Sequence, residues 1–435
     1  MNDLRQHSGL SALATSLLLV VSLAIAAPEN VSAAPAAPVA APPTWLWSTA
    51  HLIPKETTNQ GSGYFSIIEG HNGRLYIGTA KYGENAYLVE FDPASGKMEV
   101  VVDAQKEIGT TAKGFAAQSK FHTRNNVGAS GKIYLGTKQG YPQAGEDWKQ
   151  YPGGYPMVYD PATRRTRVYP VPIAHQGIID IRPDESRGVA YISTCADGRP
   201  AASGHFMILD LVKGTYRDLR DCKTNYAFIV VDFQERAYHP ITGGKIARYD
   251  PRSDRLEELE QTIDGQPLAP NSLLRTDVLN WDISPDGRTM YCVAMTDNQL
   301  YAYDLTAPGP ALPARKLGKL LAKPATDCRA MCVGPKGDVW MGVASGNLHA
   351  VSYHPGDAAP KDHGPLAVRN AAKVQLVGAD GNLPAAHYGF VKQPDGAITP
   401  RYHIMGVCQA RDGRVYLTSL VPFTLHQITP GQPAP

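Results

Sequence analysis

A strand motif that returns seven times, an Asp-centred turn that follows it and a tight glycine turn that precedes it predict an all-β chain. The expected architecture is a seven-bladed β-propeller of four-stranded antiparallel blades. The clearest copy of the motif is Gly131-Lys132-Ile133-Tyr134-Leu135-Gly136-Thr137, with close relatives at Gly73–Thr79 and Gly413–Thr418. Degenerate copies centre on Tyr191, Tyr238, Tyr291 and Trp340. Each has apolar, β-favouring residues in its middle, and glycines bound the clearest copies. The central aromatics stand 47 to 76 residues apart. A four-stranded blade needs about 40–50 residues, so these are blades with decorated loops.

The strands of one unit follow in order. Strand A is apolar and ends in a tight turn, as in Val278–Ile283 before Pro285-Asp286-Gly287 and Ala330–Val333 before Pro335-Lys336-Gly337. Strand B carries the aromatic marker. Strand C ends in a turn such as Phe91-Asp92-Pro93, Tyr159-Asp160-Pro161 or Tyr249-Asp250-Pro251, where Asp caps the turn and Pro presets φ. A short strand D follows, as in Lys97–Val101. The last apolar segment, Phe423–Ile428, supplies a third strand, and Thr44–Ile53 is expected to close the ring against it. Leu46 and Trp45 or Trp47 are then closure residues.

The first 33 of the 435 residues read as a signal peptide: Arg5 and His7 precede the apolar run Leu17–Ile25, and small residues follow at Ala24–Ala26 and Val31–Ala33. Residues 34–44 form a Pro/Ala linker, and 45–435 the propeller. The expected location is secreted or periplasmic, with no membrane association after signal cleavage. The chain has 42 Lys plus Arg against 40 Asp plus Glu and no basic run, which argues against a nucleic-acid partner. Tyr outnumbers Phe, 22 to 9, and a ring with a polar tip suits wet channel walls and sugar-binding surfaces.

Loop lengths polarise the ring. The A–B and C–D turns are short, whereas long B–C and D–A connections (105–120, 138–154, 195–204 and 370–400) share the other face, where function concentrates. His122 opens strand A of the second blade, Lys138 leaves its strand B, and Tyr141 follows in the loop. His and Lys can act as acid, base or carboxylate neutraliser; the alternative for His122 is a channel-lining histidine held by water and main chain. His175, Tyr226, His239, Arg329, His387, Tyr388, Arg401 and His403 lie on the same side by their positions at strand starts or loop ends. Arg329 and Arg401 suit an anionic substrate, because a guanidinium pairs bidentately with carboxylate, or else bridge neighbouring blades.

Cys195 and Cys222 both fall on the variable face, where a disulfide would suit an exported protein. Cys332 and Cys408 each precede their marker by eight residues and read as buried thiols. Cys328-x3-Cys332 lacks the spacing of a tetrahedral zinc set. No metal ligand is assigned and the cofactor is unknown.

Residues Lys120-Phe121-His122-Thr123, followed by the Tyr134 motif, are similar to the second blade of ulvan-lyase-type polysaccharide lyases. The resemblance to exported seven-bladed propellers extends over roughly residues 45 to 430, and the lyase-like part over that blade alone. The family cleaves uronate-containing polysaccharides by β-elimination, with His and Tyr as acid and base and Arg or His neutralising the carboxylate. The resemblance implies that His122 is a catalytic or neutralising histidine. It places a second histidine where this sequence has Lys138, a departure from the pattern; Tyr226 stands in for the catalytic tyrosine by position alone. The expected partner is an acidic polysaccharide or oligosaccharide. The alternatives are a non-catalytic propeller that binds a glycan or protein through this face, and a metal-dependent hydrolase or lactonase, which the scarcity of clustered carboxylates disfavours.

Overall fold

The computed structural model describes residues 44–59, 61–196, 203–223, 227–323, 327–401 and 406–429. The expected signal peptide and nearly all of the linker lie outside them, as do Tyr226 and His403. The described chain is all-β, built from four-stranded antiparallel meanders, here named by their marker residues. The Tyr76 meander runs through Ser62–Glu69, Leu75–Ala80, Tyr87–Phe91 and Met98–Asp103. The Tyr134 meander comprises Asn126–Val127, Ile133–Lys138, Pro156–Asp160 and Arg165–Val168. The Tyr191, Tyr238, Tyr291 and Trp340 meanders repeat the order. The closing sheet joins Val407–Gln409, Val415–Ser419 and Thr424–Ile428 to the N-terminal strand Leu46–Leu52. Thr49 faces Gln427 and His51 faces Leu425 there, so the first and last described strands share a sheet as expected.

What joins the meanders is the marker itself. Each aromatic is buried and packs on the next sheet along. Tyr76 shares a cluster with Phe121, Leu135 and Tyr159, Tyr134 with Ile178 and Met207, and Tyr191 with Ala247 and Tyr249. Tyr238 shares one with Trp281 and Tyr303, Tyr291 with Met341 and Tyr353, and Trp340 with Leu417 and Ile428. Tyr416 returns to Leu75, Ile77 and Phe91 of the Tyr76 meander, which closes the circuit. Three of the phenol oxygens find acids near the turns: Tyr76 donates to Glu90 (2.7 Å), Tyr134 to Glu185 (2.8 Å) and Tyr238 to Asp232 (2.8 Å). The Tyr191 and Tyr416 hydroxyls are buried without one, so the part the markers share is the packing of the apolar ring.

The Asp turns are built as the sequence implies. Asp92, Asp160, Asp210, Asp250 and Asp304 each accept the main-chain N–H two residues on, at 2.8–2.9 Å. Two expectations need correction. The 370–400 connection is not an open loop: Phe390–Lys392 and Ile398–Pro400 form a hairpin, and Ala371, Leu376, Phe390 and Ile398 pack with Ala50 and Val368 as a small core against the N-terminal strand. Cys222 is a free thiol, so the Cys195–Cys222 bridge is not formed. Both side chains are buried in separate apolar clusters, and burial pushes the Cys222 thiol up to about 12.

Candidate functional site

The ends of strands B and the starts of strands A meet on one side of the ring, and there the Tyr76 and Tyr134 meanders interlock. Lys120–Phe121 forms a two-residue strand between them: Lys120 pairs with Ala80 on one side and with Lys138 on the other. This register places two lysines opposite each other, both only 1% exposed. The Lys120 ammonium is surrounded by phenol rings, its Nζ lying 4.7 Å from the Tyr64 centroid, 4.6 Å from that of Tyr141 and 5.6 Å from that of Tyr82. Such ring faces attract a desolvated cation. The Tyr64 hydroxyl bonds that of Tyr82 and lies 3.4 Å from that of Tyr141. His122 completes the cluster, its ring centroid 4.0 Å from that of Tyr64 and 5.5 Å from Phe65.

Local sequence explains the arrangement. Tyr64 precedes its marker by twelve residues, as His122 does; Tyr64 lies in the strand Ser62–Glu69 and His122 directly follows Lys120–Phe121. Gly177, opening the next strand A, has no side chain to oppose Lys138, whose stem packs directly on it. Burial, then the neighbouring phenols, push the Tyr64 hydroxyl well above the usual phenol range, so it keeps its proton at neutral pH and is a donor. A protonated phenol, an imidazole and two ammonium groups can neutralise a carboxylate and deliver a proton.

Of the residues expected from sequence, His122 and Tyr141 both border Tyr64, and Lys138 adjoins them through its main-chain pairing with Lys120. Tyr141 is the exposed member, at 51%. His175 lies in the following D–A loop with φ +66°, its Nδ1 donating to Tyr151 O at 2.6 Å and its ring edge against Trp148. His239 is not a loop residue. It sits inside strand Ala237–Ile241, wholly buried, with Nδ1 donating to Pro240 O at 2.7 Å and Nε2 accepting from Ser193 Oγ at 2.9 Å. Burial drives its pKa down to about 4. Arg329 lines the axial cavity and pairs with Asp327 at 2.7 Å. Exposed Arg401 follows the 390–400 hairpin, its main-chain N–H bonding Gly389 O. Lys120 stands in the sequence motif only as a neighbour of His122, and Arg124, Tyr64 and Tyr82 were missed. The shared twelve-residue offset was the signal for Tyr64; Tyr82 has none.

Beneath the cluster, Phe65 meets Phe228 edge-on at 5.3 Å across the ring axis. Arg124 spans the axis to donate to Trp281 O and, at 3.5 Å, to Ile229 O. This layer roofs a cavity of about 530 Å³ lined by the innermost strands and by A–B turn residues such as Pro285, Gly287 and Pro335. The axial space thus reaches the plain face, which the loop lengths had set aside.

No protein-family model and no curated protein matches the sequence. Solved structures do match the fold. A streptogramin B lyase structure aligns with a TM-score of 0.55 at 13% identity, covering 88% of this chain and 97% of its own. The extracellular domain of the putative hybrid two-component system BT3049 from B. thetaiotaomicron gives 0.52 at 14% identity over 88% of this chain and 41% of its own. Kuenenia stuttgartiensis hydrazine synthase gives 0.52 at 12%, over 88% of this chain and all of its own. At these identities the likeness is one of fold, and the chain is a β-propeller. Among the described residues no helix is long and apolar enough to cross a membrane, and no three His, Cys, Asp or Glu side chains are grouped to hold a metal ion.

Proposed function

We propose that this is an exported seven-bladed propeller whose Tyr64–Lys120–His122–Lys138 cluster acts on a uronate-containing polysaccharide by β-elimination. The observation that carries the reading is the meeting of a protonated phenol, Tyr64, with His122 over a lysine held among tyrosine rings. In the proposed reaction Lys120 and Lys138 neutralise the substrate carboxylate and so acidify the adjacent C–H. His122 takes that proton, the electron pair forms the new C=C bond as the glycosidic C–O bond breaks, and Tyr64 protonates the departing oxygen. Tyr141 offers an exposed ring for a sugar face. Incubation with a panel of uronate polysaccharides should raise the ultraviolet absorbance of unsaturated ends. Tyr64→Phe and His122→Ala should each lower kcat by about a hundredfold or more. No signal on any polymer, or rates unchanged in both variants, would remove the reading.

The same face binding an acidic glycan without turnover is a second reading, favoured by the exposed Tyr141 ring beside the Lys120 ammonium. Saturable polymer binding that is lost in a Tyr141→Ala variant, with no absorbance change, would select it.

A further inference from the structure

The axial cavity holds cations that the elimination cluster does not use. Arg124, Arg182 and Arg329 all line it, and they come from three different meanders. None of the three spends its full fork on a carboxylate. Arg124 bonds main-chain carbonyls and lies 4.9 Å over the Phe228 ring. Arg182 uses Nη1 on the Asn126 side-chain oxygen at 2.7 Å, and Arg329 uses Nε on Asp327. The acids lining the same space each have partners other than these three arginines, although Asp282 also acts on Arg182. Asp232 is gripped by Arg236 at 2.6 Å and by Tyr238, Glu69 faces Arg411 at 3.5 Å, and Asp286 holds its own turn through Ser284 and Arg288 N. Asp282 accepts the main-chain N–H groups of Ile283 and Val333 at 2.9 and 2.8 Å.

Deeper in, Asp180 is bound by Asn126 and by Ile229 N at 2.8 and 2.7 Å. Burial raises its carboxyl above the usual range, against the pull of Arg124 and those hydrogen bonds. Burial likewise lowers Arg182, with Asp282 and Asp180 opposing and the nearby Arg124 charge adding to it. Both shifts come from burial first, so these groups carry their charge at a cost in a site withdrawn from water. A guanidinium removed from water is costly unless an anion meets it, and a forked donor set suits oxyanions. The volume lies within the range of small-molecule sites.

We propose that the axial cavity is a binding site for a sugar-sized oxyanion, a carboxylate or a phosphate, held by Arg124, Arg182 and Arg329 and entered from the A–B turn face. It is independent of the elimination reading, because none of its residues belongs to the tyrosine–lysine cluster. Calorimetric titration of the full chain with glucuronate, and separately with inorganic phosphate, tests it. At least one probe should bind saturably, and which binds tighter identifies the anion. Arg182→Gln should weaken that binding by about tenfold or more. Arg217→Gln, which removes an equal charge from an outer-strand pair with Asp254, should leave it unchanged. If Arg182→Gln fails to fold, Arg329→Gln, whose side chain is 38% exposed, carries the same expectation. Absence of binding by both probes, or binding that Arg217→Gln weakens as much as the cavity variants do, overturns the proposal.

Discussion

Gly136 shows how much one missing side chain decides. A Cβ there would stand 2.6 Å from the Cβ of Ile178 in the next meander, so the motif's second glycine is a contact requirement between sheets, not a turn residue. Gly136→Ala should destabilise by about 1–3 kcal/mol, read as a lower urea midpoint. Two buried histidines set the acid limit. His239 is pushed down to about 4 and His426 to about 3, both by burial first. His426 donates from Nδ1 to Ser48 Oγ at 3.1 Å and accepts Ser419 Oγ at 2.7 Å. Above the ordinary value of 6.5 both rings are neutral, folded or not, and contribute nothing to pH dependence. Below it the unfolded chain binds protons that the fold refuses, so stability falls as pH drops from 6.5 towards 4 and then 3, by a few kcal/mol in all. Urea midpoints at pH 7 and pH 5 should differ in that direction, and the difference should shrink in His239→Gln. An equal midpoint at both pH values would refute it.

At the scale of the element, the Asp turns are the most legible feature, because their chemistry is local. Asp250 caps its turn through Arg252 N at 2.8 Å and Ser253 Oγ at 3.0 Å. Asp250→Ala should cost about 1 kcal/mol, measured by thermal unfolding, with no effect on activity at the distant cluster. Strand B could be read from its motif because its aromatic is buried against a neighbour in every meander. The strand A starts were harder: they are short, irregular and polar, and the Tyr76 meander breaks register between Gly63 and Ile67. His239 illustrates the limit. Alternation along a strand sends its side chain inward to Ser193 and Phe206, and no local pattern separates such a histidine from one on a loop.

At the scale of the whole molecule, the ring depends on a contact between its first and last described strands. Leu46–Leu52 is the outer strand of the closing sheet, and Leu46, Trp47 and Ser48 also pair in parallel with Leu366, Ala367 and Val368. Deleting residues 44–53 should leave Thr424–Ile428 as a bare edge and uncover the 370–400 core. Unfolding followed by tryptophan fluorescence should then lose its single cooperative transition; an unchanged transition would show that closure does not hold the ring. The repeat, the turns and this closure were determined by the sequence alone, because each rests on periodic apolar burial or on bonds within a few residues. Only the tertiary structure decided that Lys120 lies among three tyrosines, that Tyr64 meets His122, and that Arg124, Arg182 and Arg329 face one axial cavity. Those side chains come from strands distant in sequence, and it is the closed circuit of sheets, each packed on the next through its marker, that sets their spacing.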